Sequence, residues 1–182
     1  MSKAHSIIGV SKGRGEHDYY KTPPEATRAI LREETFDGSI WEPACGDGAI
    51  SKILEEFGYE TIISSDLVDR GFGVGGVDFL ANVVTVDNII TNPPYSLAQE
   101  FVEHSLKCAK KKIILLCKIQ FLAGMKRKKL FETTPFKGIY VCSRRLKMDR
   151  AHETPSPNSG MMDFAWFVWD YDYQYSPTIQ WI

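Results

Sequence analysis

Ser39-Ile40-Trp41-Glu42-Pro43-Ala44-Cys45-Gly46-Asp47-Gly48 is a short apolar run closed by a proline and followed by two closely spaced glycines. The run reads as a buried strand. The glycines read as a tight turn, because glycine enters positive φ without steric cost. Downstream, Ile50, Ile53, Leu54 and Phe57 recur at helical spacing up to Gly58, which predicts a helix with those four turned inward. Strand, glycine turn and helix form the opening unit of an α/β sheet, where ligands gather at the carboxyl ends of the strands.

Upstream, Thr22-Pro23-Pro24-Glu25 predicts a helix start, with Thr22 as N-cap, Pro23 at the first helical position and Glu25 in the first turn. That helix runs to about Glu34, with Ala26, Ala29 and Ile30 on its apolar face. Residues 1–17 lack periodicity and read as a flexible N-terminal arm, leaving 18–182 as a single domain without a separate recognition domain.

Downstream, Thr61 to Ser65 is a strand closed by Asp66, and a glycine-rich passage leads to Val77-Asp78-Phe79-Leu80. Val86 to Thr91 is another strand, ended by Asn92-Pro93-Pro94-Tyr95. Ser96 is expected to cap a helix with Leu97, Phe101, Val102 and Leu106 inward. Lys112 to Cys117 is the most apolar strand and suits the centre of a parallel sheet. A basic helix over Phe121 to Glu132 and strands at Gly138 to Cys142 and Phe164 to Trp169 follow. Trp166, Phe167 and Trp169 read as sheet core. Ser143 to Met162 is a long connection, of the kind that is usually functional. The alternation argues an α/β sheet with helices on both faces.

Composition excludes several classes. With 182 residues, 43% hydrophobic and 25% charged, the chain fills a domain-sized core and is not of disordered or disulfide-scaffold type. The run Ile113 to Cys117 is far short of the roughly 20 residues that span a bilayer, and MSKAHSIIGV lacks the pattern of a secretory signal. Cys45, Cys108, Cys117 and Cys142 show no close pairing and read as free thiols in a reducing cytoplasm. His5, His17, His104 and His152 are scattered, so no metal is expected.

The formal net charge of −1 hides an asymmetry. Between Lys107 and Arg150 there are 14 Lys or Arg against two acids, a net of +12, while the remainder carries 8 basic and 21 acidic groups. Such segregation suggests a polyanion on one face, with nucleic acid the common case. Lys126, Arg127, Lys128 and Lys129, and then Arg144, Arg145, Lys147 and Arg150, are the candidate phosphate contacts. A solvated helix face is the plainer reading of the first four.

Two motifs carry chemistry. Glu42 to Gly48 lacks both GxGxxG spacing and the Lys-Ser/Thr of a phosphate loop, so Glu42 and Asp47 suit a cationic ligand better than a phosphate. Asp66, 24 residues after Glu42, stands near the offset at which an acid binds ribose hydroxyls, and Asp78 could accept from an adenine amino group. In Asn92-Pro93-Pro94-Tyr95 two prolines remove N–H donors, leaving the Asn92 side-chain oxygen and the Pro93 carbonyl as acceptors beside the flat face of Tyr95. That group suits a planar amine.

EPACGDG, the acids Asp66 and Asp78, and NPPY, in that order and spacing, resemble class I S-adenosylmethionine-dependent methyltransferases of the amino-methylating type. The similarity is greatest to small bacterial and phage DNA N6-adenine methyltransferases, and covers about residues 18–182. It implies a Rossmann-like fold with a mostly parallel seven-stranded sheet and an antiparallel C-terminal strand. It also implies a cytoplasmic enzyme, as monomer or homodimer, that methylates the N6 amine of adenine in DNA rather than RNA, with no membrane partner. Tyr20 and Thr22 would hold the methionine end of S-adenosylmethionine, Thr22 near its carboxylate. Glu42, Pro43, Ala44 and Gly46 would line its methionine part. Asp66 would take the ribose hydroxyls, Leu67 would also meet the cofactor, and Asp78 with Phe79 would face the adenine. Asn92, with Pro93 and Pro94, would hold the target amine at the cofactor, and Tyr95 would stack on the target ring. RNA adenine, a protein glutamine amide, and a non-catalytic nucleic-acid-binding module are the alternatives.

Overall fold

The computed structural model describes residues 19–148 and 162–182. In chain order its elements are α1 (Pro24–Glu33), β1 (Ile40–Glu42), α2 (Ser51–Glu56), β2 (Ile62–Ser64), β3 (Val86–Thr91), α3 (Ala98–Cys108), β4 (Ala109–Lys118), α4 (Met125–Thr133), β5 (Phe136–Val141), β6 (Phe164–Asp170) and β7 (Thr178–Trp181). Among the described residues the seven strands form one sheet in the order β2-β1-β3-β4-β6-β5-β7. β6 runs antiparallel to both of its neighbours, and every other pairing is parallel. The proposed N-terminal arm over 1–17 and Arg150 lie outside the described residues.

The apolar runs are continuous because both faces of the sheet are covered. Along β4, Ile113, Leu115 and Cys117 enter the core under α3 and α4, while Ile114 and Leu116 enter the core under α1 and α2. β6 alternates in the same way, with Trp166 and Val168 on the second face and Phe167 and Trp169 on the first. Burying each such side chain contributes about 1.5–3 kcal/mol. The buried indoles keep their N–H groups bonded: Trp41 donates to Ser65 Oγ at 2.9 Å and Trp166 to the Ala26 carbonyl at 3.0 Å.

An ionic cluster closes the amino end of the sheet. Glu34, 1% exposed at the end of α1, accepts from Lys112 (2.7 Å), Lys137 (2.6 Å) and the Tyr140 hydroxyl (2.7 Å). Asp170 stands 3.6 Å from both lysines. Burial pushes the Glu34 pKa up, but these hydrogen bonds outweigh it and hold the carboxyl below its ordinary value.

Several local expectations are corrected. Thr22 is not an N-cap: Pro23 occupies that position, α1 begins at Pro24, and the Thr22 hydroxyl is bonded to Asn92 instead. Ser96 lies in a 3-10 turn, Tyr95–Leu97, and the N-cap of α3 is Leu97. Phe57 caps α2 at 41% exposure rather than turning inward. The basic helix is two pieces, a 3-10 turn at Ile119–Leu122 and then α4, because Gly124 takes φ +116° between them. β7 adds a strand after Phe164–Asp170.

Candidate active site

β1 leads into α2 on one face of the sheet, whereas β3, its neighbour, leads into α3 on the other. The gap between their carboxyl ends is therefore a topological switch point, where open α/β sheets bind ligands. The glycine turn and Asn92-Pro93-Pro94-Tyr95 stand on its two sides.

The glycine turn is fastened from below by the flanking acids. Asp66, 8% exposed, accepts from the Gly46 N–H at 2.8 Å and the Val68 N–H at 2.9 Å, so it ties the loop after β1 to the loop after β2. A carboxylate has about four acceptor positions, so these bonds leave capacity for a hydroxyl. Leu67 beside it is 47% exposed and presents an apolar surface. Glu42 accepts from the Ser51 N–H at 2.9 Å and from the Ser51 hydroxyl, which also meets Ser64 Oγ at 2.7 Å. Burial pushes the Glu42 pKa up to about 8; the Ser51 bonds lower it and the charges of Asp66 and Asp47 add to the rise. Pro43 is buried and Ala44 half-buried. Burial lifts the Cys45 thiol to about 12, so it is a packing group.

Gly46 has φ +57°, and a Cβ there would stand 2.3 Å from the Tyr19 ring. Tyr19 covers the turn: its hydroxyl accepts from the Asp47 N–H at 3.2 Å, and the Arg70 guanidinium lies 4.1 Å from its ring centre. Lys21 bonds Asp47 at 2.6 Å. Neither Tyr19 nor Arg70 was among the sequence candidates. A lone aromatic or arginine in a loop gives no signal of its target.

On the other side, Asn92 Nδ2 donates to the Tyr20 carbonyl and to Thr22 Oγ1, both at 3.0 Å. Its Oδ1 is buried and has no partner among the described residues. Pro93 is buried and Pro94 half-buried, and the Pro94 carbonyl accepts from the Leu97 N–H at 2.9 Å. Tyr95 is already stacked, with the Tyr20 ring 5.3 Å away at 27°, Phe164 at 5.5 Å and Lys118 Nζ 4.9 Å from its centre. A target ring that stacks on Tyr95 must displace one of these neighbours.

The two residues expected to face an adenine differ in their surroundings. Asp78 is exposed, and its Oδ1 accepts from the Leu80 N–H at 3.0 Å. Phe79 is 2% exposed and packs on Trp41, Phe101 and His104, so its ring faces the core. An aromatic next to an acid does not reveal which way its ring turns.

A groove of about 260 Å³ runs between α3 and α4, from Tyr95 past Phe121 to Lys126 and Arg127, with Glu100 and Glu103 on its other wall. Lys126 and Lys129 are exposed. Arg127 is committed to the Gln120 and Ala123 carbonyls, both at 3.2 Å, and lies over Phe121. Lys128 pairs with Glu132 at 2.5 Å, and Arg145 stands 3.7 Å from Asp163. Arg144 and Lys147 are exposed. No helix of the described residues is long and apolar enough to cross a membrane.

No family model matches the sequence, and no curated protein matches it. The fold is shared with a Pyrococcus horikoshii protein, PH1948, to which RNA methyltransferase activity is attributed. The TM-score is 0.63 at 12% identity, covering 90% of this chain and 92% of that one. A modification subunit attributed to a type I restriction enzyme of Vibrio vulnificus YJ016 superposes with TM-score 0.61 and 13% identity, over 92% of this chain and 48% of its own. A dimethyladenosine transferase from Plasmodium falciparum gives TM-score 0.57 and 16% identity, over 84% and 62%. At these identities the likeness establishes a shared Rossmann-like α/β fold.

Proposed function

We propose that this chain is an S-adenosylmethionine-dependent methyltransferase acting on the exocyclic N6 amine of adenine in DNA. The observation that carries the reading is the buried Asn92 Oδ1 at the switch point, without a partner among the described residues, beside the Pro93 carbonyl and across from an acid-rich glycine turn.

The donor set suits the cofactor. Asp66 and Asp47 line the turn with the protonated Glu42 carboxyl buried beneath them, so a sulfonium or ammonium there meets the Asp66 carboxylate and favours release of the Glu42 proton. Asp66, with Leu67 beside it, would take the ribose, and Asp78 with the Phe79 backbone the adenine edge. Bound there, S-adenosylmethionine would supply a methyl group on a positively charged sulfur.

An aromatic amine is a weak nucleophile because its lone pair is delocalised into the ring. Asn92 Oδ1 and the Pro93 carbonyl accept its two hydrogens and bias the nitrogen toward a tetrahedral shape. The lone pair then points across the switch point. The nitrogen would take the methyl as the carbon–sulfur bond breaks and leaves its electron pair on the sulfur as a neutral thioether, and the nitrogen would then shed one proton past these acceptors to solvent. Orientation and fixed dipoles supply most of the acceleration, and no strong base is needed. In duplex DNA the base must leave the stack. Tyr95 takes the flipped ring once Tyr20 or Lys118 yields its place. The exposed Lys126 at the groove, with the exposed Lys129, Arg144 and Lys147, meets the phosphates.

A second reading, adenine in RNA, draws support from the names of the Pyrococcus and Plasmodium neighbours. The net of +12 over Lys107 to Arg150 favours either nucleic acid over a protein amide. Mass spectrometry of nucleosides from unmethylated DNA and RNA, each incubated with protein and S-adenosylmethionine, tests the reading. N6-methyladenine in DNA alone is the expected result. A signal in RNA alone keeps the mechanism and overturns the substrate, and silence in both refutes the activity.

A further inference from the structure

Residues 19–22 form an extended strap across the switch point, and its side chains alternate between the two motifs. Tyr19 and Lys21 bond Asp47 of the glycine turn, while the Tyr20 ring stacks on Tyr95 and Thr22 reaches Asn92. That alternation is the period of two expected of extended chain.

The contacts to Asn92 decide how its amide sits. A backbone carbonyl only accepts hydrogen bonds, so the Tyr20 carbonyl, 3.0 Å away, fixes the nitrogen of the amide on the strap side. Thr22 Oγ1, also at 3.0 Å, takes the second N–H and removes the remaining freedom of the group. Thr22 is 3% exposed, so water does not replace this bond. The consequence is that Oδ1 faces away from the strap, buried and without a partner among the described residues. Rotated by half a turn, the same amide would present N–H groups to an amine that has only hydrogens to offer. It could not hold it.

We infer that Thr22 is a positioning residue for amine methylation, whose hydroxyl locks the Asn92 amide with its oxygen toward the target. The inference rests on the methyltransferase reading and deepens it. Thr22 acts through Asn92 and through no contact with the reacting atoms. It differs from the role the sequence resemblance implies, in which Thr22 serves the cofactor carboxylate.

Thr22→Val keeps the shape and removes the hydroxyl, and Thr22→Ser restores it. A group misplaced by about 1 Å costs on the order of 100-fold in rate. Thr22→Val should therefore lower kcat by roughly 10- to 100-fold, leave KM for the nucleic acid and Kd for S-adenosylmethionine within about threefold, and be rescued by Thr22→Ser. Loss of cofactor affinity that accounts for the whole fall in kcat/KM overturns the inference and makes Thr22 a cofactor contact. An unchanged kcat overturns it as well.

NMR of the Asn92 side-chain amide gives a readout independent of turnover. In the wild type and Thr22→Ser its two N–H protons should resonate apart and exchange slowly. In Thr22→Val one should move toward the free-amide position and exchange faster. If wild-type protein methylates nothing, the activity falls while this spectrum still decides the lock; an unchanged Asn92 signal in Thr22→Val sinks the lock whatever the activity. Thermal unfolding of all three proteins separates either result from a failure to fold.

Discussion

Glu42 turns the binding of a cation into a proton count. Its carboxyl is 1% exposed, and burial lifts its pKa from the ordinary 4.5 to about 8, with Ser51 pulling back and Asp66 and Asp47 pushing further. At pH 7 such a group keeps its proton in roughly nine molecules out of ten. A sulfonium or ammonium at the glycine turn favours the carboxylate, so binding S-adenosylmethionine expels up to about 0.9 proton per site. Titration calorimetry at pH 7 in buffers of different ionisation enthalpy reads that number as a slope. Glu42→Gln keeps an acceptor for Ser51 and cannot ionise, so its slope should be flat. A flat slope in the wild type, or an equal slope in Glu42→Gln, refutes the reasoning. The same group also tilts stability. The folded chain holds this proton up to about 8 while the unfolded chain releases it near 4.5. The stabilisation is therefore complete below the lower value and declines as pH rises between the two, by up to about 1.4 kcal/mol per pH unit. Unfolding of wild type against Glu42→Gln across that window checks the sign.

Gly46→Ala should cost about 1–3 kcal/mol by denaturant unfolding, since the new Cβ meets the Tyr19 ring at 2.3 Å and φ is +57°. Glu34→Ala should cost on the order of 3–5 kcal/mol, because Lys112 and Lys137 lose the shared carboxylate. Glu34 is held below its ordinary pKa, so its contribution is present above that value and lost as pH falls through the folded pKa. Glu34→Gln should accordingly flatten the acid limb of the unfolding curve. Lys126→Ala and Lys129→Ala should each lower the salt dependence of DNA binding by about 0.9 in log–log slope. Lys128→Ala should change it less, since Lys128 is already paired with Glu132.

What the sequence disclosed was local. The prolines after β3 and the glycines after β1 act on their own backbone, so both motifs were legible with their places at the strand ends. β4 and β6 were legible because a two-sided core demands unbroken apolar runs. β7 was not: all four of its residues are exposed, so burial leaves no period in the sequence. Gly124 was visible and marks the break before α4, but the basic residues around it masked the division. The Glu34 cluster joins residues 78 and 106 positions apart, and no local signal predicts such a meeting. The lock on Asn92, spanning 70 positions to Thr22, was hidden for the same reason. A threonine before two prolines looks like a helix cap whichever partner it finally takes.

In the proposed site Asn92 holds the amine while the glycine turn holds the cofactor, and Asn92→Ala separates the two. Turnover on DNA and S-adenosylmethionine affinity are measured on the same wild-type and variant protein. Turnover should vanish, with affinity within a few-fold of the wild type. Equal loss of both, or turnover that survives the substitution, would contradict the account.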